Sequence, residues 1–155
     1  MNKNKLKELV NALDSLSDEV KDWGVTMSSE EKPMCDTPGC HAGLISIVAK
    51  DLPELQEFQG IYYQELQDVY NDDCRVYEYI TWHYALAEFL GFEDKQDLKY
   101  WAQYNPELWG NKYGYDMFVC QRAFTDDKDK KLTHRDLINH WKQVLVNIER
   151  KIKRR

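Results

Sequence analysis

Two cysteines and a histidine fall within seven residues of one another, Cys35 to His41, in the run Met34-Cys-Asp-Thr-Pro-Gly-Cys-His-Ala-Gly43. Thr37-Pro38 reads as a helix start, because a Thr hydroxyl can cap and Pro suits a first turn whose N–H groups lack partners. A helix opening there turns free N–H groups and a positive dipole end toward Cys40 and His41. Such a place favours a thiolate at Cys40, or a bound anion such as a nucleotide phosphate. The plainer reading makes Cys35 and Cys40 small apolar fillers, since free Cys is among the most buried residue types. Thiol chemistry needs a base, and adjacent residues on a helix point about 100° apart, so His41 is badly aimed at Cys40. His83 or His134 would have to arrive from elsewhere in the fold. A zinc site would need a second ligand pair, and Cys74, Cys120, His83, His134 and His140 supply none at recognisable spacing. A phosphatase-type loop wants Arg six residues after its Cys, where this chain has His41 and Ser46. No metal or cofactor is expected.

A second dense run is Asn105-Pro-Glu-Leu-Trp-Gly-Asn-Lys-Tyr-Gly-Tyr-Asp-Met-Phe118. Gly110 and Gly114 permit sharp turns, and Trp109, Asn111, Tyr113 and Tyr115 offer polar and aromatic contact surface. These residues read either as a packed loop pinned by Trp109 or as a ligand loop. With Thr37, Gly39, Cys40 and His41 they would form a small-ligand site, for instance for a nucleotide. Thr125 to Asp136 echoes a calcium loop in its acids, but Lys stands where the central Gly belongs and Asp replaces the closing Glu.

The third feature is electrostatic. The chain carries net charge −6, yet Glu57 to Lys99 holds ten carboxylates against Arg75, Lys95 and Lys99, so the negative field belongs to one segment. If two helices near 61–71 and 75–90 lie together, Glu65, Asp68, Asp72 and Glu78 form a carboxylate ridge beside Tyr62, Tyr63 and Tyr70. A ridge of this kind steers a basic partner, and the aromatics supply contact area after docking. The plainer reading is a solvated face. Net negative charge opposes nucleic acid as a partner, and the five basic side chains of Arg150 to Arg155 could add only weak, salt-sensitive contacts.

The elements that must position these residues are helical. Leu6, Leu9, Val10, Leu13, Leu16 and Val20 recur at steps of three and four, which predicts one amphipathic helix over 1–24. Residues 25–36 read as a loop. The helix after Pro38 is apolar on nearly every side and should be buried. Pro53 and Gly60 bracket a short helical piece, followed by a helix over 61–71 and a central one from Arg75 to Leu90, closed by Gly91. Asp94 with Asp97 resembles a cap for the next helix, Asn105-Pro106 opens a single turn ended by Gly110, and a short helix spans about 115–124. Thr133 with Asp136 caps a last helix striped by Leu137, Ile138, Trp141, Val144, Leu145, Ile148 and Ile152. The prediction is an all-α domain of about six or seven helices over 1–155, its first and last helices packed together. Its parts are the helix of 1–24, a core over 37–148 and a basic tail over 149–155.

Length and composition agree. The 155 residues suit one domain, the 43% hydrophobic and 31% charged fractions are those of a globular chain, and seven Gly with four Pro disfavour turn-dense β folds. No apolar run reaches the roughly 20 residues of a membrane span. Glu8, Asn11 and Asp14 break what would be the apolar core of a signal peptide. A cytoplasmic location with reduced thiols is expected.

The segment Cys35-Asp-Thr-Pro-Gly-Cys-His-Ala-Gly43 resembles the C-G-T-x-x-C-x-A-G signature of small bacterial and phage proteins of uncharacterised function, with Asp36 in place of its Gly. Ala85 to Phe92, Asn105 to Asn111 and Met117-Phe118 are similar to segments that accompany it, over roughly residues 34 to 148. The resemblance supplies no catalytic residues. It implies a phage or mobile-element setting, in which small acidic proteins act by binding host machinery. The expected function is therefore a non-enzymatic modulator or inhibitor that docks on a basic host protein. The alternatives are a small-ligand sequestering protein and a thiol or metal enzyme centred on Cys35 and Cys40.

Overall fold

A computed structural model describes residues 1–23, 41–70, 74–92, 97–110 and 133–153, the side chains of 67–70, 74–80, 97 and 99 excepted. The chain is all-α, and no strand occurs among the described residues. Eight α-helices are described: α1 (Lys3–Asp14), α2 (Asp18–Lys21), α3 (His41–Val48), α4 (Pro53–Tyr70), α5 (Cys74–Phe89), α6 (Asp97–Tyr104), α7 (Pro106–Trp109) and α8 (His134–Lys153). A 3-10 turn, Ala49–Asp51, joins α3 to α4.

Two expected boundaries move. The helix predicted over 1–24 breaks after Asp14, although its apolar stripe continues in register. Ser15 Oγ donates to Asn11 O at 2.8 Å, and Ser17 Oγ accepts from the Val20 N–H at 3.3 Å. Serine side chains that bond nearby backbone end one helix and start the next. Conversely, Gly60 does not interrupt α4, which runs unbroken from Pro53 to Tyr70. Its apolar positions Leu55 and Tyr62 are buried, so tertiary packing outweighs a glycine penalty of about 1 kcal/mol.

The remaining ends follow local chemistry. Asn2 caps α1, its Oδ1 accepting from the N–H groups of Asn4 and Lys5 at 3.0 and 3.2 Å. The same residue's N–H donates to Leu90 O at 2.7 Å, tying the start of α1 to the end of α5. Gly91, at φ 91°, closes α5. There Phe92 N–H reaches Ala87 O, and Gly91 N–H reaches Glu88 O, both at 3.0 Å. Thr133 and Asp136 form the predicted cap of α8, with Thr133 N–H donating to Asp136 Oδ2 at 2.9 Å. The single turn α7 starts at Pro106 and stops at Gly110, φ 82°. The expected Thr37 and Asp94 caps and the 115–124 helix lie outside the described residues.

Packing joins the two ends of the chain, as predicted. α1 lies along α8, burying Leu6, Leu9, Val10 and Leu13 with Leu137, Ile138, Trp141 and Val144. An ion pair from Lys142 to Asp14 lines that contact, and those from Arg135 to Asp18 and Asp22 (3.2 and 3.0 Å) tie α2 to α8. α4 and α5 form the most extensive helix pair, cross-linked by Gln59 Nε2 donating to Thr81 Oγ1 at 3.2 Å. α5 also packs on α3, so it lies between the α4 layer and the α3–α8 core. No described helix is long and apolar enough to cross a membrane.

Candidate functional site

The two runs singled out by chemistry meet on one residue, Trp141 of α8. His41, first residue of α3, accepts at Nε2 a hydrogen bond from Trp141 Nε1–H at 3.0 Å, and their rings stack at 6.2 Å between centroids. Trp109 of α7 presents its edge to Trp141 at 5.4 Å and to His140 at 4.7 Å. Trp101 continues the aromatic chain at 6.5 Å from Trp109. Asn147 Nδ2 donates to Leu108 O at 2.9 Å and holds α7 against α8.

All four histidines of the chain, His41, His83, His134 and His140, are buried. They come from α3, α5 and α8, and the other three each act electrostatically on His41. Burial, then His134, His140 and His83 in that order, push the His41 imidazole down to about 3. Burial alone pushes His134 to about 4. These two imidazoles are neutral at pH 7. A neutral imidazole offers a lone pair to an indole N–H. Among the described residues no three His, Cys, Asp or Glu side chains are placed to hold a metal ion.

His41 and Trp109, expected as ligand contacts, are both 3% exposed and are engaged in packing around Trp141. Thr37, Gly39, Cys40, Cys35, Asn111, Tyr113 and Tyr115 lie outside the described residues. Spacing did not reveal His83, His134, His140 and Trp141 as one cluster. The available signal was that His134 and His140 adjoin the apolar stripe of Leu137, Ile138 and Trp141.

The acidic surface differs from the expected ridge. Tyr62 is not on it: the side chain is 8% exposed, packs edge-on against Tyr84 at 5.6 Å, and donates its hydroxyl to Glu88. Burial, then Glu88, raises the Tyr62 phenol well above the usual tyrosine range. Position 62 shares the side of α4 that carries Leu55, the side that faces α5. The exposed face instead carries Glu54, Glu57, Ile61 and Glu65. At roughly 100° per residue these four fall within about 80° of one another on the helix. Tyr63 is also exposed but lies about 160° around the helix from Glu65. Ile61 is 47% exposed, an apolar residue flanked by carboxylates. Glu54 pairs with Lys5, which also approaches Glu8 at 3.4 Å. Asp68, Tyr70, Asp72 and Glu78 have no described side chains.

Fold and site together define an all-α protein with a buried imidazole–indole cluster on one side of α5 and an acidic helix face on the other. No protein-family model, curated protein or solved structure matches the chain.

Proposed function

We propose that the protein is a non-enzymatic modulator that docks on a basic surface of a host protein through the outward face of α4. The observation carrying this reading is the exposed Ile61 set between Glu57 and Glu65 on one helix face. An apolar contact residue ringed by like charges is the arrangement in which charge guides the encounter and burial holds the complex. The wider sequence supports it, because ten of the carboxylates fall between Glu57 and Lys99. The resemblance to small bacterial and phage proteins makes a host protein the natural partner and inhibition the natural consequence.

The test is affinity capture from host lysate at graded salt, with Glu57→Lys/Glu65→Lys and Ile61→Asp variants beside the parent chain. Capture should fall with salt through a slower on-rate, and fall again in both variants, while the thermal midpoint barely moves. A partner retained by the double charge reversal at high salt would refute the α4 face as the docking surface.

A further inference from the structure

We propose that the His41–Trp141 contact is an acid-responsive latch between α3 and α8, released when His41 takes a proton at Nε2. The argument starts from the bond itself. An indole N–H can only donate, so His41 Nε2, 3.0 Å from Trp141 Nε1, must be the lone-pair acceptor. A proton at that nitrogen removes the acceptor and sets two donors against each other. It also places a charge on a side chain 3% exposed, beside a Trp141 that is wholly buried.

Among the described residues, the groups that act on that charge are imidazoles. From α5 the group acting on His41 is His83, and from α8 the groups are His134 and His140. α1, the third helix on α3, turns Leu6, Leu9, Val10 and Leu13 inward. Each further protonated imidazole would repel the first. Separation of α8 from α3 hydrates the cluster and ends the repulsion, so release and proton uptake occur together. Trp109 leans on both Trp141 and His140, so its packing loosens in the same step. This inference is independent of docking by α4.

The experiment follows near-UV circular dichroism, which reports indole packing, and far-UV dichroism, which reports helix, from pH 7.5 to pH 4. The wild-type near-UV signal should collapse between the ordinary histidine value and pH 4, before the helical signal falls, with uptake of about two protons per molecule. His41→Gln keeps an acceptor for Trp141 and cannot titrate. It should move the near-UV midpoint to lower pH by at least half a unit and remove about one proton from the transition. Coincident wild-type and His41→Gln transitions, or a wild-type near-UV spectrum intact at pH 4, would overturn the latch. Where His41→Gln does not fold, ring-carbon NMR of wild-type His41 decides. Titration together with the near-UV change supports the latch, and titration near the ordinary value with packing intact overturns it.

Discussion

Gly91→Ala puts one methyl group where two helices are tied together. Gly91 closes α5 at φ 91°, in a region where a side chain costs about 1–2 kcal/mol. Its new Cβ would stand 3.2 Å from Asn2 Cβ, closer than ordinary contact. Asn2 has little room to retreat, since its N–H donates to Leu90 O at 2.7 Å and its side chain caps α1. Loosening that cap adds up to about 1 kcal/mol, for a total of about 1–3 kcal/mol. This is a large share of the roughly 5–15 kcal/mol that holds a domain folded. Urea titration followed by far-UV dichroism should show a lower midpoint with an unchanged slope. Gly60→Ala is the control. It is the same chemical change in mid-helix with nothing within 4 Å of the new Cβ, and it should gain about 1 kcal/mol. Asn2→Gly removes the clashing carbon, so the double variant should lose less than the two single losses combined. A Gly91→Ala protein within about 0.5 kcal/mol of wild type, or strict additivity in the cycle, would refute the reasoning.

Two further outcomes are expected. Trp109→Ala empties space between Trp101, His140 and Trp141 and should cost about 3–5 kcal/mol in urea, whereas Tyr104→Ala, on a side chain 63% exposed, should stay within about 0.5 kcal/mol. Tyr62 should ionise above the ordinary tyrosine value in an alkaline absorbance titration, a late phase that Tyr62→Phe diminishes. Because the folded chain holds that proton beyond pH 10.0, where the unfolded chain loses it, stability should fall as pH rises through and above that value. A Tyr62 that titrates with the exposed tyrosines would show its hydroxyl to be solvated.

Caps, stops and long apolar stripes were legible in the sequence, and most contacts between distant residues were not. The Thr133–Asp136 cap, the Pro106 turn, the Gly91 stop and the pairing of the terminal helices follow from residues a few positions apart or from unbroken periodicity. The break at Ser15–Ser17 hid because Leu13, Leu16 and Val20 keep helical spacing across it, while two hydroxyls redirect the backbone bonds. Gly60 misled in the other direction, since its cost is smaller than the gain from seating Leu55 and Tyr62 against α5. Tyr62 read as surface because the carboxylates of Glu65 and Asp68 follow it closely in the chain. A shift of one position on a helix turns a side chain about 100°, and that turn carries it inward. The imidazole cluster left a periodic trace only in His134 and His140 beside the α8 stripe, because positions 41, 83, 134 and 140 come together only after three helices have packed.

α5 connects the two features that matter most. Its contact with α4 supports the acidic face, and its contact with α3 borders the histidine cluster, to which it contributes His83. The 3-10 turn Ala49–Asp51 is a second link, continuous with α3 and packed on α4. Thr81, Ala85, Leu86 and Ala87 are buried along α5, so this helix has apolar neighbours on several sides and little freedom to shift alone. A change at His41 therefore reaches Ile61 through α5, through the 3-10 turn, or through α1, which packs on α3 and pairs Lys5 with Glu54 of α4. The acid response of the core and the salt response of the surface should thus separate. His41→Gln should leave the salt dependence of capture at pH 7.5 unaltered, and Glu57→Lys/Glu65→Lys should leave the near-UV transition in acid where it is. Movement of either readout by the opposite substitution would mean that one of these links transmits strain, and the two halves of the molecule would then be one device.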